Sequence, residues 1–304
     1  MPTLTLKVDV DTLRGTQEGV PRLLDLFARH GIHATFLFSL GPDHTGRAIR
    51  RVFRPGFFAK VSRTSVLEHY GVRTLLYGTL LPGPDIGRVG APILRAARAA
   101  GHEVGIHTWD HVLWQDRVRT ADPGWTCLQM QKAWTRFEEV FGTPPRTHGA
   151  AGWQMNAFAL RQLDAWGMRY ASDGRVADPG LGPYRVELQG TVLDCVQLPT
   201  TLPTLDELIG IDGMDGAAAA RHILEQAHPA SQDQVFTLHA ELEGAKLLPA
   251  FETLLKGWRT QGYEFATMEG YYQRLDAAAL PVRAFGCGTV PGRSGDLMVV
   301  KAAS

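Results

Sequence analysis

Cysteine is scarce in this chain: Cys127, Cys195 and Cys287 are the only three in 304 residues. Thiols so few and so scattered exclude a disulfide-built scaffold, and a reducing compartment is the simpler setting. Net charge is missing too, because 31 Lys and Arg are offset by 31 Asp and Glu. That balance excludes the basic footprint of a general nucleic-acid binder, and no nucleic-acid motif is present. Nothing approaches about 18 continuous apolar residues, so no membrane-spanning helix is expected. An apolar strand pattern begins within a few residues of Met1, which leaves no room for a signal peptide. No internal repeat is visible. At 44% hydrophobic content the chain can bury a full single-domain core. A cytoplasmic globular enzyme fits this composition, as do many other proteins.

Strand and helix patterns alternate, which predicts an α/β fold with a parallel sheet or barrel. Strands are expected at 4–10, 32–39, 102–107, 146–150, 168–173, 192–198, 234–239 and 263–267. Thr16 is placed to cap a helix whose apolar residues Val20, Leu23, Leu24 and Phe27 repeat at helical spacing before Gly31 ends it. Asn156 to Gly167, Asp215 to His228 and Lys246 to Gly262 follow the same pattern. A domain over 1–280 would then be followed by a Pro-, Gly- and Arg-bearing tail over 281–304, with one short apolar run at Leu297, Met298, Val299 and Val300.

Residues of about 42–90 are too many for an ordinary βα loop and read as an insertion. From Gly46 to Leu80 it carries Arg47, Arg50, Arg51, Arg54, Lys60, Arg63 and Arg73 against one acid, Glu68. Ile49, Val52 and Phe53 fall on one helical face beside those arginines, and Phe57 and Phe58 follow. Such a stripe suits an interfacial helix on an anionic membrane leaflet, or a lid packed on the barrel with a solvated basic face.

Chemistry-bearing residues stand at the ends of the expected strands. Asp9 and Asp11 lie i and i+2 at the end of the first strand, on one face. They either cap the following turn or share a cation. His107 and His111 stand i and i+4; on one helical turn both imidazoles reach a single ion, and otherwise they are incidental histidines. Two His and one Asp form a set that leaves coordination positions open for water and substrate. His239 closes the apolar strand Gln234-Val235-Phe236-Thr237-Leu238, as a functional group or as a hydrogen-bonded core histidine. Asp, His and His at three strand ends are where a (β/α) barrel builds an active site.

These motifs resemble the polysaccharide deacetylase superfamily, also called the NodB-homology or carbohydrate esterase family four hydrolases. The resemblance implies a single-domain, distorted (β/α) barrel with Asp9 as catalytic base and His239 as general acid. It also implies one divalent metal held by Asp11, His107 and His111, of a kind the ligands do not choose among zinc, manganese, cobalt, nickel and iron. Asp9-Val10-Asp11 departs from the adjacent Asp-Asp common in the family and is similar to its amide-hydrolysing branches. The runs Val8 to Thr16, Glu18 to Leu24, His102 to His111, Ala150 to Trp153, Leu202 to Thr204 and His239 to Gly244 narrow the resemblance to the deformylase branch. That branch implies hydrolysis of the formamide of 4-deoxy-4-formamido-L-arabinose on undecaprenyl phosphate, in lipid A modification and cationic-peptide resistance. It further implies work at the cytoplasmic face of the inner membrane, with Arg47, Arg50, Arg51, Phe53, Arg54, Phe57 and Phe58 as candidate contacts to its anionic surface.

Around this set Arg146 is a candidate to orient Asp9, although the Pro that accompanies such an Arg in the family is absent after it. Asp173 is placed either to orient His239 or to cap a turn. Trp109, Trp114 and Trp153 are candidates to stack on a sugar, or core aromatics. A soluble deacetylase of glycans, an amidase of small amides, and a sugar-lipid binding protein without catalysis are the competing functions.

Overall fold

The computed structural model describes residues 1–48, 73–178, 180–293 and 295–300. Its centre is β1 (Thr3–Val10), whose eight residues are all buried. Leu4, Leu6, Val8 and Val10 enter the main apolar cluster, while Thr3, Thr5, Lys7 and Asp9 share the opposite face. Burial on both faces is what a central parallel strand requires. β2 (Thr35–Ser39) and β8 (Gln234–His239) flank β1 in parallel, and β3 (Glu103–Thr108) lies beyond β2. β9 (Glu264–Ala266) joins at the start of β1.

The remaining wall is irregular but continuous. Ile106 N donates to Thr147 O and Gly149 N to Ile106 O, so the chain at 147–149 runs beside β3. Ser172 N donates to His148 O, bringing in β4 (Tyr170–Ala171). Between them lie β5 (Arg175–Val176), β6 (Tyr184–Leu188) and β7 (Thr191–Gln197), of which β7 pairs with β4. Thr201 N donates to Val235 O and returns the wall to β8. This closes a distorted (β/α) barrel, the fold the family resemblance implies; the strand–helix alternation alone left a parallel sheet or a barrel open. At 146–150, where a strand was expected, an isolated bridge from Ile106 to His148 takes its place.

Seven helices serve the account: α1 (Val20–His30), α2 (Ala91–Ala99), α3 (His111–Arg117), α4 (Pro123–Phe141), α5 (Ala157–Ala165), α6 (Gly216–Gln226) and α7 (Leu248–Thr260). Asn156 caps α5 by accepting from Ala159 N, and Asp215 caps α6 by accepting from Ala218 N. Gly31, at φ 61°, ends α1 in the left-handed conformation that glycine adopts without strain. Thr16 does not cap α1. It lies inside a π-turn over Gly15–Gly19 and its hydroxyl donates to Thr12 O. Phe27, Phe36, Phe236, Phe251 and Trp258 make the aromatic centre between the sheet and α1 and α7.

The described part of the expected tail, 281–293 and 295–300, is packed instead. β10 (Val282–Ala284) pairs with β6, β11 (Cys287–Gly288) with β12 (Leu297–Val300), and β12 with β5. All four residues of β12 are buried. Residues 49–72, which hold most of the basic, aromatic insertion including Arg50, Arg51, Phe53, Arg54, Phe57 and Phe58, lie outside the described residues. Arg47 is described, and its Nε donates to Gly78 O at 3.0 Å.

Candidate active site

The structure brings Asp9, Asp11, His107, His111 and His239 to one end of the barrel. Asp9 and His239 are register partners on β1 and β8, so two adjacent parallel strands present a carboxylate beside an imidazole. His107 is on β3 and His111 is the first residue of α3. A strand-to-helix corner, rather than one helical turn, brings the two rings together, with centroids 5.3 Å apart.

Asp11 lies between them: its Oδ1 is 3.2 Å from His107 Nε2 and its Oδ2 is 3.3 Å from His111 Nε2. His107 Nδ1 is 2.6 Å from Gly149 O. A carbonyl only accepts, so Nδ1 carries the proton and Nε2 turns a lone pair toward Asp11. Two acceptors then face each other, and Asp11 Oδ1 is buried without a hydrogen-bond partner among the described residues. A cation between them resolves this, and one ligand atom from each of the three residues lies within 4.8 Å of the others. Burial alone would raise the Asp11 carboxyl, but the neighbouring histidines, His111 foremost, hold it well below the usual carboxylate range. Burial would likewise lower His107, yet Asp9 and Asp11 raise it.

Carboxylates not singled out from the sequence hold this frame. Glu241 Oε1 accepts from Asp11 N at 2.9 Å, Thr12 N at 2.7 Å and the Thr12 hydroxyl at 2.8 Å. A Cβ on Gly15 would stand 2.0 Å from that oxygen, so the turn needs glycine there. Burial, then the charge of Asp11, pushes the Glu241 carboxyl upward. Glu243 accepts from His239 N at 2.7 Å, and burial raises its carboxyl to about 8. Asp110 caps α3 through Leu113 N and pairs with His44 Nδ1 at 2.6 Å, tying the ligand-bearing corner to the insertion's foot.

Other candidates fall elsewhere. Arg146 is exposed and 3.9 Å from Glu269; the cation beside Asp9 is Lys7. Asp173 is occupied by His148 Nδ1 at 2.6 Å and by Gln197, and the carboxylate beside His239 is Asp206, whose Oδ1 is 3.9 Å from His239 Nδ1. Trp153 is 1% exposed and meets His239 edge-on, with Lys7, Arg175 and Arg293 over its ring, so its faces are not open to a sugar. Trp114 is buried against Trp125. Trp109 is half-buried, packed on Gly41 and beneath the Arg136 guanidinium. Arg293 could have been noticed only as a lone arginine in a Gly-rich run, and no local pattern marks Asp206; Lys7 shares Asp9's strand face at i−2, a spacing the sequence does show.

A distorted (β/α) barrel with an Asp–His–His cation site beside an Asp and a His defines a hydrolase of the carbohydrate esterase type. The chain belongs to the polysaccharide deacetylase family, whose model matches residues 3–171. It is 38% identical over 268 residues, 86% of this chain and 83% of the relative, to a Shewanella sediminis protein named "Probable 4-deoxy-4-formamido-L-arabinose-phosphoundecaprenol deformylase ArnD". A Wigglesworthia glossinidia brevipalpis protein of the same name is 29% identical, covering 92% of this chain and 96% of that one. Among solved structures, a candidate polysaccharide deacetylase from Mycobacterium smegmatis shares the fold at TM-score 0.63 and 17% identity, covering 95% of this chain and 96% of that one.

Proposed function

We propose that this chain is a deformylase that hydrolyses the formamide of a 4-deoxy-4-formamido-L-arabinose carried on undecaprenyl phosphate, releasing formate and the free amine. The observation that carries this reading is the 38% identity, over most of both chains, to a relative named for that reaction. The site's geometry supports the chemistry. Any divalent ion suited to one carboxylate and two imidazoles, including zinc, manganese, cobalt, nickel and iron, fits Asp11, His107 and His111. Such an ion, when bound, supplies Lewis acidity to the carbonyl oxygen and acidifies water.

Asp9 takes a proton from the attacking water as the water oxygen bonds to the formyl carbon. His239, with Nδ1 turned to Asp206, has Nε2 left to protonate the leaving nitrogen as the C–N bond breaks. Water is thereby divided between formate and amine.

The lipid carrier places the enzyme at the cytoplasmic membrane surface. Among the described residues no helix is long and apolar enough to cross a membrane.

Mass spectrometry of a formamido-arabinose phosphoprenol analogue tests the reaction, using metal-loaded and EDTA-treated protein beside Asp9→Asn and His239→Gln. Loss of one formyl group, dependent on metal and slowed about 10²–10⁴-fold in each variant, is expected. Turnover of an acetylated glycan with no deformylation would instead identify a glycan deacetylase.

A further inference from the structure

A lysine with no solvent exposure must be held by an opposite charge or lose its own. Lys7 is such a residue: it is 0% exposed, on β1, on the same face as Asp9 two positions later. Its Nζ is 3.3 Å from Asp9 Oδ2, donates to Ser172 O at 3.1 Å, and stands 5.2 Å from the centroid of the Trp153 ring. Carboxylate, carbonyl and indole face hold the ammonium from three sides. The path of its stem is reserved, since a Cβ on Gly149 would lie 2.9 Å from Lys7 Cε and 2.3 Å from Leu37 Cδ1.

We infer that Lys7 is the positioning residue of the base: by gripping Asp9 Oδ2 it fixes the carboxylate plane and leaves Oδ1 to receive the proton of the attacking water. Oδ1 is buried and has no hydrogen-bond partner among the described residues, as an acceptor kept for substrate water would be. His107 Nδ1, the other nearby cationic candidate, is 3.8 Å from Oδ1 and already donates to Gly149 O. Arg146, on the surface, takes no part. The inference goes beyond the proposed reaction and rests on its assignment of Asp9 as base.

The test compares Lys7→Met, Lys7→Gln, Lys7→Arg, Asp9→Asn and Lys7→Met/Asp9→Asn, all metal-loaded, on whichever formamide or acetamide the wild-type enzyme hydrolyses. Failure of the deformylase reading then appears in the wild-type protein, and failure of this inference only in the variant ratios. Lys7→Met is expected to lower kcat at least about a hundredfold, the scale of a misplaced catalytic group, with KM within about threefold and metal stoichiometry unchanged. Lys7→Arg, which keeps the cation, recovers most of the loss, and the double variant is no slower than Asp9→Asn alone. Should Lys7→Met fail to fold, Lys7→Gln carries the same comparison, because its amide can still donate to Ser172 O without charge. A kcat within about threefold of wild type, or losses that multiply in the double variant, overturns the inference.

Discussion

Arg293 Nη2 lies 3.0 Å from Asp206 Oδ1, the oxygen that also faces His239 Nδ1. The same guanidinium donates to Glu207 and Thr204 and covers one face of Trp153. An arginine just before the last strand thus holds part of the wall behind the candidate general acid, and residues far beyond the family-matched 3–171 belong to the site.

Removal of that arginine therefore reaches activity as well as stability. Arg293→Ala is expected to lower kcat about tenfold or more. Glu207 keeps its second partner, Arg175, so the cost in stability is held to about 1–3 kcal/mol. Steady-state kinetics beside urea unfolding of the same preparation checks both; unchanged kcat would reduce the contact to a structural one.

His111 is 20% exposed at its side chain, whereas His107 is 1% exposed. The cation site is thus reached from the His111 side. His111→Ala is expected to abolish metal retention through gel filtration, with activity falling in parallel. EDTA should do the same to the wild-type protein, reversibly on adding metal back. Elemental analysis against residual turnover decides this, and full activity in metal-free protein would exclude a role for the ion.

His102 is expected to set the acid limb of stability. It is buried between Phe27 and Phe36, its Nδ1 accepts from Ala34 N, and burial, then neighbouring His33, lowers its pKa from 6.5 to about 4. The unfolded chain binds a proton here below pH 6.5 and the folded chain does not. Stability from this residue is therefore present above pH 6.5 and lost as pH falls toward 4. Solvent screening keeps the loss below the roughly 3 kcal/mol of the full shift. His102→Asn, which can still accept from Ala34 N, should flatten the difference in unfolding free energy between pH 7 and pH 4.5.

Phe236 is fully buried on β8, stacked on Phe251 at 6.4 Å and edge-on to Trp258 at 5.0 Å. Phe236→Ala is expected to cost about 3–5 kcal/mol. Because His239 is three residues along the same strand, activity should fall with stability. Chemical denaturation with a two-state fit checks the cost.

The sequence by itself determined the alternation of strand and helix, and it placed Asp9, Asp11, His107 and His239 at strand ends, with His111 four residues past His107. Strand periodicity is local, so a carboxylate two residues from another, or a histidine closing an apolar run, is legible without knowledge of neighbours. It could not show that His107 and His111 meet through a strand-to-helix corner, because one spacing serves both geometries. Nor could it say that Asp173 pairs with His148, that Asp206 stands behind His239, or that Arg146 stays on the surface while Lys7, on Asp9's own strand face, is held in place by Ser172. Those partners lie 25 to 165 residues apart in four of the contacts concerned: His148 with Asp173, Asp206 with His239, Asp206 with Arg293, and Lys7 with Ser172. Only the order of strands and the closure of the barrel bring them together. The segment after Pro281 shows the same division: its Gly- and Pro-rich composition suggests a tail, but β5 and β6 offer free edges, and pairing with them buries Leu297 to Val300 and carries Arg293 to the site. Local pattern chose the chemistry, and long-range backbone pairing chose which charges stand beside it.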